Sequence, residues 1–438
     1  MKVMKFGGTS VGKPERMKEV ARLITADDDA KIVVLSALSG TTNALVEISA
    51  ALSNGHKHQA KHLIEELHQH YRNFISQLIQ GDAIQRATEI VDEHFDFLHI
   101  ILRISFSEAL NKDILAQGEL LSTKLFCVYL HSAGIDHELI PALEFMTIDN
   151  YDEPQIGSIK IKLSQLLQKH KEKKLFITQG YISRNAKGEI DNLKRGGSDY
   201  SASLIAAAVN AKVCEIWTDI DGMHNNDPRV VDKTVPVEQL SFDEAAELAY
   251  FGAKILHPAS IWPAKFYNVP VRLLNTMDPS AKGTLISDST SGVGVKAVAA
   301  KDGITAIQIK SSRMLLAYGF LRKVFEVFEK YRTSIDMITT SEVAVSVTID
   351  NDAFLQEIIR ELEPFGTVET DSNQTIVSIV GNEIAGAEHV MKNLFGALDG
   401  IPVRMICYGG SRHNISLLIE RQYKEQTLRQ LNSGLFGL

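Results

Sequence analysis

Short, near-continuous apolar runs alternate with helically spaced apolar positions through the first two thirds of the chain. The runs are residues 2–6, 31–38 (KIVVLSAL), 174–178, 213–218 and 269–274. Such runs suit strands covered on both faces by helices. Between the first two, Pro14 is placed to open a helix, and Met17, Val20, Ala21 and Ile24 follow a 3.6-residue period. Residues 201–209 form a second helical stretch of this kind. The alternation predicts an α/β sandwich, a sheet flanked by helices.

Residues 43–132 interrupt that rhythm. They are helical by pattern and mixed in charge, and predict a helical subdomain. His56, His58, His62, His68 and His70 crowd it, and His58 with His62 has the i, i+4 spacing of a metal-holding helix pair. The neighbours are Lys, Gln and Glu and no nearby Cys completes a ligand set, so a solvated helix face is the better reading.

Around residue 290 the pattern changes. Residues 288–303 (DSTSGVGVKAVAAKDG) are small, glycine-rich and polar and are expected to be a linker. Gly292 and Gly294 make only a fragment of a dinucleotide-binding GxGxxG, because Ala297 fills the third position and no strand precedes it. Beyond it the chain repeats itself. A strand at 305–310, a helix at 321–330 and two strands within 334–350 are echoed at 375–380, 387–398 and 402–420. Amphipathic segments at 354–362 and 424–431 close the two copies. The repeat predicts two small α+β modules, and neither carries a catalytic cluster.

At 438 residues the chain exceeds one core, in keeping with two or three domains. No apolar run approaches the roughly 20 residues that span a bilayer, and the first residues do not pattern as a targeting peptide. Cys127, Cys214 and Cys407 are far apart in apolar stretches, which argues against a disulfide framework and suits a reducing compartment, the cytoplasm. A net charge of −8 disfavours nucleic acid as a partner. It leaves a small anion open.

Three clusters carry candidate chemistry. In KFGGTSVGKP, Gly7 to Lys13 has the GxxxxGK spacing of a P-loop, but Pro14 stands where a Mg²⁺-binding hydroxyl is required. Lys5 at a strand end, Gly7 and Gly8 for close backbone approach, and the hydroxyls of Thr9 and Ser10 suit phosphates, although a tight strand-to-helix turn would use the same glycines. In LKRGGSDYSAS, Arg195 supplies a fork for a carboxylate, Gly196 and Gly197 open the backbone, and Ser198 and Asp199 stand at a helix start. Asp199 is also an ordinary N-cap type. In WTDIDGMHNNDPRVV, Trp217, Thr218, Asp219 and Asp221 are candidates for a purine and ribose pocket with Asp227 and Arg229 nearby, against the simpler reading of a loop of turn formers. Lys254 in FGAKILHP is placed to reach a phosphate or to snorkel to solvent.

At KFGGTSVG, FITQGYI, LKRGGSDYSAS, WTDIDG, NDPRVV, FGAKILHP and ITTSE the chain resembles the aspartate kinases of the amino-acid kinase fold, over essentially its whole length. The resemblance implies a three-layer α/β/α sandwich over residues 1–292 and two ferredoxin-like ACT domains at 300–372 and 373–438. It implies transfer of the ATP γ-phosphoryl group to the β-carboxylate of L-aspartate, with Mg²⁺ carried by the phosphates. Lys5 and Asp199 would serve the transfer, and Gly7, Gly8, Ser10 and Gly197 would hold phosphate. Ser36, Thr42, Glu119, Arg195 and Ser198 would bind aspartate. Thr218, Asp219, His224, Arg229 and Lys254 fall where the family binds ATP, with His224 in a loop where relatives commonly have Tyr.

The first ACT module looks like the lysine-sensitive subgroup. Met314, Gly319, Phe320, Leu321, Ser334, Asp336, Ser341 and Glu342 would border a lysine site at a dimer interface, in a homodimer or dimer of dimers. The end at Leu438 predicts a monofunctional enzyme without a fused dehydrogenase. A kinase for glutamate, and a ligand sensor with an inactive kinase domain, are the alternatives.

Overall fold

The computed structural model describes residues 1–193, 196–252, 256–289, 292–311 and 318–438. The chain forms two compact units, one of residues 1–223 and 256–288 and the other of 224–255 and 289–438. The sequence order of the chain is therefore not the order of the units. Residues 224–255 leave the first unit and return.

In the first unit apolar runs become strands β1 (Lys2–Phe6), β2 (Lys31–Leu35), β4 (Leu175–Gln179) and β7 (Cys214–Thr218), and a short β3 (Glu138–Leu139), which was not among those runs, precedes β4. β5 (Ile182–Arg184) and β6 (Ile190–Asn192) make a separate hairpin. After the excursion, which carries β8 (Gln239–Ser241), come β9 (Val271–Asn275) and β10 (Thr284–Ser287). Within this unit the sheet runs β3-β4-β2-β1-β7-β9-β10, parallel except for the antiparallel β9–β10 pair. β2 and β4 are buried at every position, as continuous apolar runs predict.

The helical insertion is four helices, Thr41–Ser53, Lys57–Leu78, Ala83–Ile101 and Glu108–Ser132. Their apolar faces join β1 and β2 in one core that includes Phe6, Leu35, Tyr71, Phe95 and Phe126. His56, His58, His62 and His70 are exposed, whereas His68 is half-buried, stacked on Phe95 with its Nε2 2.9 Å from Asp92 Oδ1. His62 is largely exposed and its Nε2 lies 3.4 Å from Glu66 Oε1 one turn on, an exposed helical pair of little energetic weight.

In the second unit the repeat builds one antiparallel sheet. Its strands are β11 (Gly294–Lys310), β12 (Ile338–Thr340), β13 (Ala344–Ile349), β14 (Thr367–Asn382), β15 (Val403–Cys407) and β16 (Asn414–Glu420), in the order β12-β13-β11-β14-β16-β15. This overturns the linker expected at 288–303. From Gly294 onward that segment is strand, with residues 294–302 paired to 375–382 and residues 306–310 paired to 367–371. The central Ala297, Val298 and Ala299 are 0%, 3% and 8% exposed. Small residues suffice there because a second strand and a helix layer press close, and small residues give little hydrophobic signal in the sequence. The register shifts around residue 303, where Gly303 has φ of +77°, a left-handed conformation that glycine adopts without strain.

The two copies are thus interleaved. The first half of β11 completes the sheet of the second repeat, and its second half opens the first. Each repeat keeps its own core, one around Val324, Phe328, Val347 and Ile358 and one around Val390, Leu394, Leu417 and Leu431. Among the described residues no helix is long and apolar enough to cross a membrane.

Candidate active site

The parallel strands β4, β2, β1 and β7 are neighbours, and their carboxyl ends open on one edge of the sheet. In open α/β sheets ligands bind outside that edge, beside the helix N-termini that follow. Lys5 is the penultimate residue of β1, Ser36 follows β2, Gly180 follows β4, and Thr218 ends β7. Adjacent strands therefore deliver residues that are far apart in sequence.

Lys5 and Asp199 meet across this edge, with Lys5 Nζ 2.6 Å from Asp199 Oδ1 and both side chains mostly buried. Asp199 stands in the first turn of the helix Gly197–Ala208, whose N-cap, Gly196, has φ of +66°. A Cβ on Gly196 would lie 1.8 Å from Ser260 Oγ, so both space and backbone conformation demand glycine. Ser198, next in that turn, is buried and its Oγ accepts from Ser36 Oγ at 2.9 Å.

The loop after β1 has the features a phosphate cradle needs. Gly7 caps the short helix Gly8–Val11, and a Cβ there would crowd Lys5 Nζ at 3.3 Å. A Cβ on Gly8 would come within 3.1 Å of the Ala37 carbonyl oxygen. Ser10 is fully buried, its Oγ 2.7 Å from Thr276 Oγ1, so it secures the loop from beneath. This arrangement replaces the rejected P-loop with backbone N–H groups on a strand-to-helix turn.

Glu119 enters from the helix Glu108–Ser132 and is 3% exposed. Its approach depends on Gly118, where a Cβ would stand 2.7 Å from Ala37 Cβ. Glu119 Oε1 accepts the Ala37 N–H at 3.2 Å, while Oε2 is buried and has no hydrogen-bond partner among the described residues. Burial pushes this carboxyl up to about 7. A buried carboxylate oxygen without a donor is costly, and a hydrogen-bond donor or a cation relieves it.

The remaining candidates divide. Thr42 is exposed in the first turn of Thr41–Ser53, whereas its neighbour Thr41 is buried against Tyr71, Oγ1 to Oη 3.1 Å. Thr218 Oγ1 donates to Asp219 Oδ1 at 3.1 Å at the edge of the sheet. Trp217 is not a pocket wall. It is 6% exposed and stacks on Phe6, with ring centroids 5.7 Å apart, because the alternation of β7 turns it into the core.

His224 and Arg229 belong to the second unit. His224 Nδ1 is 2.8 Å from Thr234 Oγ1. Arg229 is exposed and forks onto Asp227, Nε to Oδ1 at 2.9 Å and one terminal nitrogen to Oδ2 at 2.8 Å. The neighbouring Asn226 donates to the Leu428 carbonyl at 2.9 Å, which ties this loop to the helix Lys424–Phe436. Arg195, Lys254 and Met314 lie outside the described residues.

Of the expected effector residues, Gly319 (φ of +81°) caps the helix Phe320–Lys330. Phe320 is buried in the same apolar cluster as Ile335 and Ile338, while Leu321, Ser334, Ser341 and Glu342 are exposed. Asp336 is different in kind. Its side chain is fully buried, Oδ1 accepts from Lys301 Nζ at 2.9 Å and from Tyr250 Oη at 3.0 Å, and Oδ2 has no hydrogen-bond partner among the described residues. Sequence reading missed Gly118, Tyr71, Tyr250 and Lys301. Only Gly118 had a visible signal, a glycine beside Glu in an otherwise strongly helical run.

A parallel sheet with a glycine cradle at its carboxyl edge, joined to a repeated α+β sensor unit, defines an amino-acid kinase with ACT-type modules. The family comparisons agree, matching the amino acid kinase family over residues 1–275 and an ACT domain over residues 377–435. The chain is 36% identical to lysine-sensitive aspartokinase 3 of Escherichia coli, covering 99% of both chains, and 34% identical to the chloroplastic aspartokinase 2 of Arabidopsis thaliana, covering 99% of this chain and 84% of that one. The crystal structure of E. coli aspartokinase III with aspartate and ADP (R-state) superposes with a TM-score of 0.85 at 34% identity, over the whole of both chains. Its complex with lysine and aspartate (T-state) gives a TM-score of 0.82, covering 100% of this chain and 99% of that one.

The chain belongs to the aspartokinases. Its reaction is ATP-dependent phosphorylation of the carboxyl group of aspartate.

Proposed function

We propose that the cluster at the carboxyl edge of β1 and β2 is the site of this reaction, with the roles of its residues as follows. The aspartate ammonium pairs with Glu119, and Arg195 takes the α-carboxylate. Ser36, Thr42 and Ser198 orient the substrate from the loop after β2 and from the first turn of Gly197–Ala208. The backbone N–H groups around Gly7, Gly8 and Gly197, with Ser10 in support, receive the ATP phosphates. Thr218 and Asp219, at the end of β7, extend the nucleotide site, and His224, Arg229 and Lys254 carry their ATP roles from the family resemblance alone.

The observation that carries this reading is the buried, donorless Oε2 of Glu119. It sits one residue beyond Gly118, where a Cβ would crowd Ala37 Cβ at 2.7 Å. An ammonium group satisfies it, and a substrate without one does not.

The chemistry then needs little from proton transfer. The reference pKa of an aspartate side chain is near 3.9, so the nucleophile is already an anion. Its oxygen forms a bond to the γ-phosphorus while the bond from that phosphorus to the bridging oxygen breaks, and ADP leaves. No proton moves. The obstacle is bringing two anions together, and Lys5, the cradle N–H groups and the helix N-termini neutralise that charge.

Mg²⁺ keeps phosphate and water ligands and takes one or two carboxylates, and the Asp199 carboxylate beside Lys5 has that chemistry. Asp199 is the residue that would hold it. The ion supplies charge neutralisation on the phosphates when bound.

The second unit acts as a sensor for lysine in this reading, and lysine inhibits. Support comes from the buried Asp336, whose free oxygen suits an ammonium. It comes also from the relationship to an E. coli enzyme crystallised with lysine. The test is hydroxylamine trapping of the acyl phosphate from the wild type and Glu119→Gln. The variant should raise the KM for aspartate about 100-fold, and an unchanged KM removes Glu119 from the site.

A further inference from the structure

Three consecutive residues at the carboxyl end of β4 each hold a different element of the acceptor site. Gln179, the last residue of the strand, is buried; its Nε2 donates to Thr123 Oγ1 at 2.8 Å and its Oε1 accepts the Ala142 N–H at 2.7 Å. Thr123 in turn donates to the Glu119 carbonyl at 2.9 Å, one turn back in the helix Glu108–Ser132. Gln179 therefore anchors the turn that presents Glu119. Ser122, in the same turn, donates to the Ser36 carbonyl at 2.7 Å and ties it to the end of β2.

Gly180 comes next. Its N–H reaches the Leu35 carbonyl at 2.9 Å, and a Cβ on it would lie 2.4 Å from both Cβ and Oγ of Ser198. Glycine is what lets the first turn of Gly197–Ala208, which carries Asp199, approach this closely. Tyr181 follows with φ of +65°, a strained conformation for a residue with a side chain. It is held from both sides, its N–H bound to Ser201 Oγ and its carbonyl to the Leu193 N–H, each at 2.8 Å. Such an outlier persists where the surroundings over-determine it, and functional sites are where such positions gather.

We propose that Gln179 and Gly180 are positioning residues that set the length of the acceptor amino acid, by fixing the spacing between Glu119 and the Lys5–Asp199 pair. The inference rests on the reading of Glu119 as the partner of the substrate ammonium and of Lys5 with Asp199 as the place of phosphoryl transfer. Glu119 is held to Gln179 through Thr123, and Asp199 is held to Gly180 through Ser198, so one strand end sets both ends of the acceptor site. Aspartate and glutamate differ by one methylene. A frame of fixed length brings the side-chain carboxylate of aspartate to the γ-phosphorus and carries that of glutamate past it, and a misplacement of about 1 Å at a reacting atom costs about 100-fold in rate.

Gly180→Ala and Thr123→Val test this in the full-length protein, with hydroxylamine trapping of the acyl phosphate formed from aspartate and from glutamate. The valine keeps the shape of Thr123 and removes the hydroxyl that links Gln179 to Glu119. Both variants should raise glutamate turnover relative to aspartate at least about tenfold, the lower end of what one methylene is worth in discrimination. Thr123→Ser returns the hydroxyl and should restore the wild-type ratio to within about threefold. A misfolded fraction lowers both substrates alike and leaves the ratio unmoved. An unchanged ratio, or glutamate product that stays at background, removes Gly180 from this role when seen in Gly180→Ala and Gln179 when seen in Thr123→Val. If Glu119→Gln leaves the KM for aspartate unchanged, the reading of the site itself fails, and the proposal with it; if Glu119→Gln raises that KM while the ratio holds in both variants, only the proposal falls.

Discussion

The two units each bury a carboxylate with one oxygen that has no hydrogen-bond partner among the described residues, and they treat it in opposite ways. Glu119 in the kinase unit receives one backbone N–H and no cation among the described residues, and burial drives it up to about 7. Asp336 in the sensor unit is already held by a lysine and a tyrosine. In the proposed reading the first is a preorganised partner for a substrate ammonium, and the second is a carboxylate for which a ligand would have to compete. Preorganisation serves catalysis because nothing has to rearrange at the moment of reaction, whereas competition is what makes a switch.

The largest effect that would break this comparison lies outside both carboxylates. Lys5→Ala should lower kcat by about a thousandfold or more, since charge neutralisation is the main task of the site. Steady-state kinetics with saturating ATP and aspartate measures it, and near-normal turnover would remove the cradle from the active site.

The next effect sharpens the contrast through pH. Only the ionised form of Glu119 attracts an ammonium, so kcat/KM for aspartate should rise about tenfold per pH unit below about 7 and level off above it. Glu119→Gln should flatten that limb of the profile. If the limb persists in the variant, another group is titrating.

Smaller is the effect of Ser36→Ala, which removes the hydrogen bond to Ser198 at the helix start. It should raise the KM for aspartate about three- to tenfold with kcat nearly kept, the cost of one neutral hydrogen bond. A large fall in kcat instead would mean that Ser36 acts on the transferring group.

The smallest expected change concerns stability. The folded-state pKa of Glu119 is raised above its unfolded value. Its contribution to stability is therefore present below pH 4.5 and lost as pH rises through about 7. Glu119→Gln should then be more stable than the wild type at pH 8, by on the order of 1–3 kcal/mol at most, and equal to it near pH 4. Denaturant titration at the two pH values decides. A variant less stable at pH 8 would mean that the carboxylate is better satisfied than its surroundings indicate.

Much of the architecture was legible in the sequence because it rests on local pattern. Two-sided apolar runs became β1, β2, β4, β7 and β9, and the helical insertion appeared as four helices. The glycine and Asp motifs at 5–10 and 195–199 marked strand and helix ends, where backbone chemistry dictates residue type. Residues 288–303 were misread because Ala297 and Ala299 owe their burial to β14, which lies far along the chain. Trp217 was misplaced because a strand end looks the same whether its side chain faces ligand or core.

The sequence by itself determined which elements form and which residues stand at the strand ends, since periodicity and turn chemistry act over a few neighbours. Tertiary structure alone decided what those residues meet. It paired Lys5 with Asp199, admitted Glu119 past Gly118, and folded 224–255 into the sensor unit, where Tyr250 reaches Asp336. Pairings of that kind depend on close approach between distant segments, and a single chain read in order carries no local mark of them.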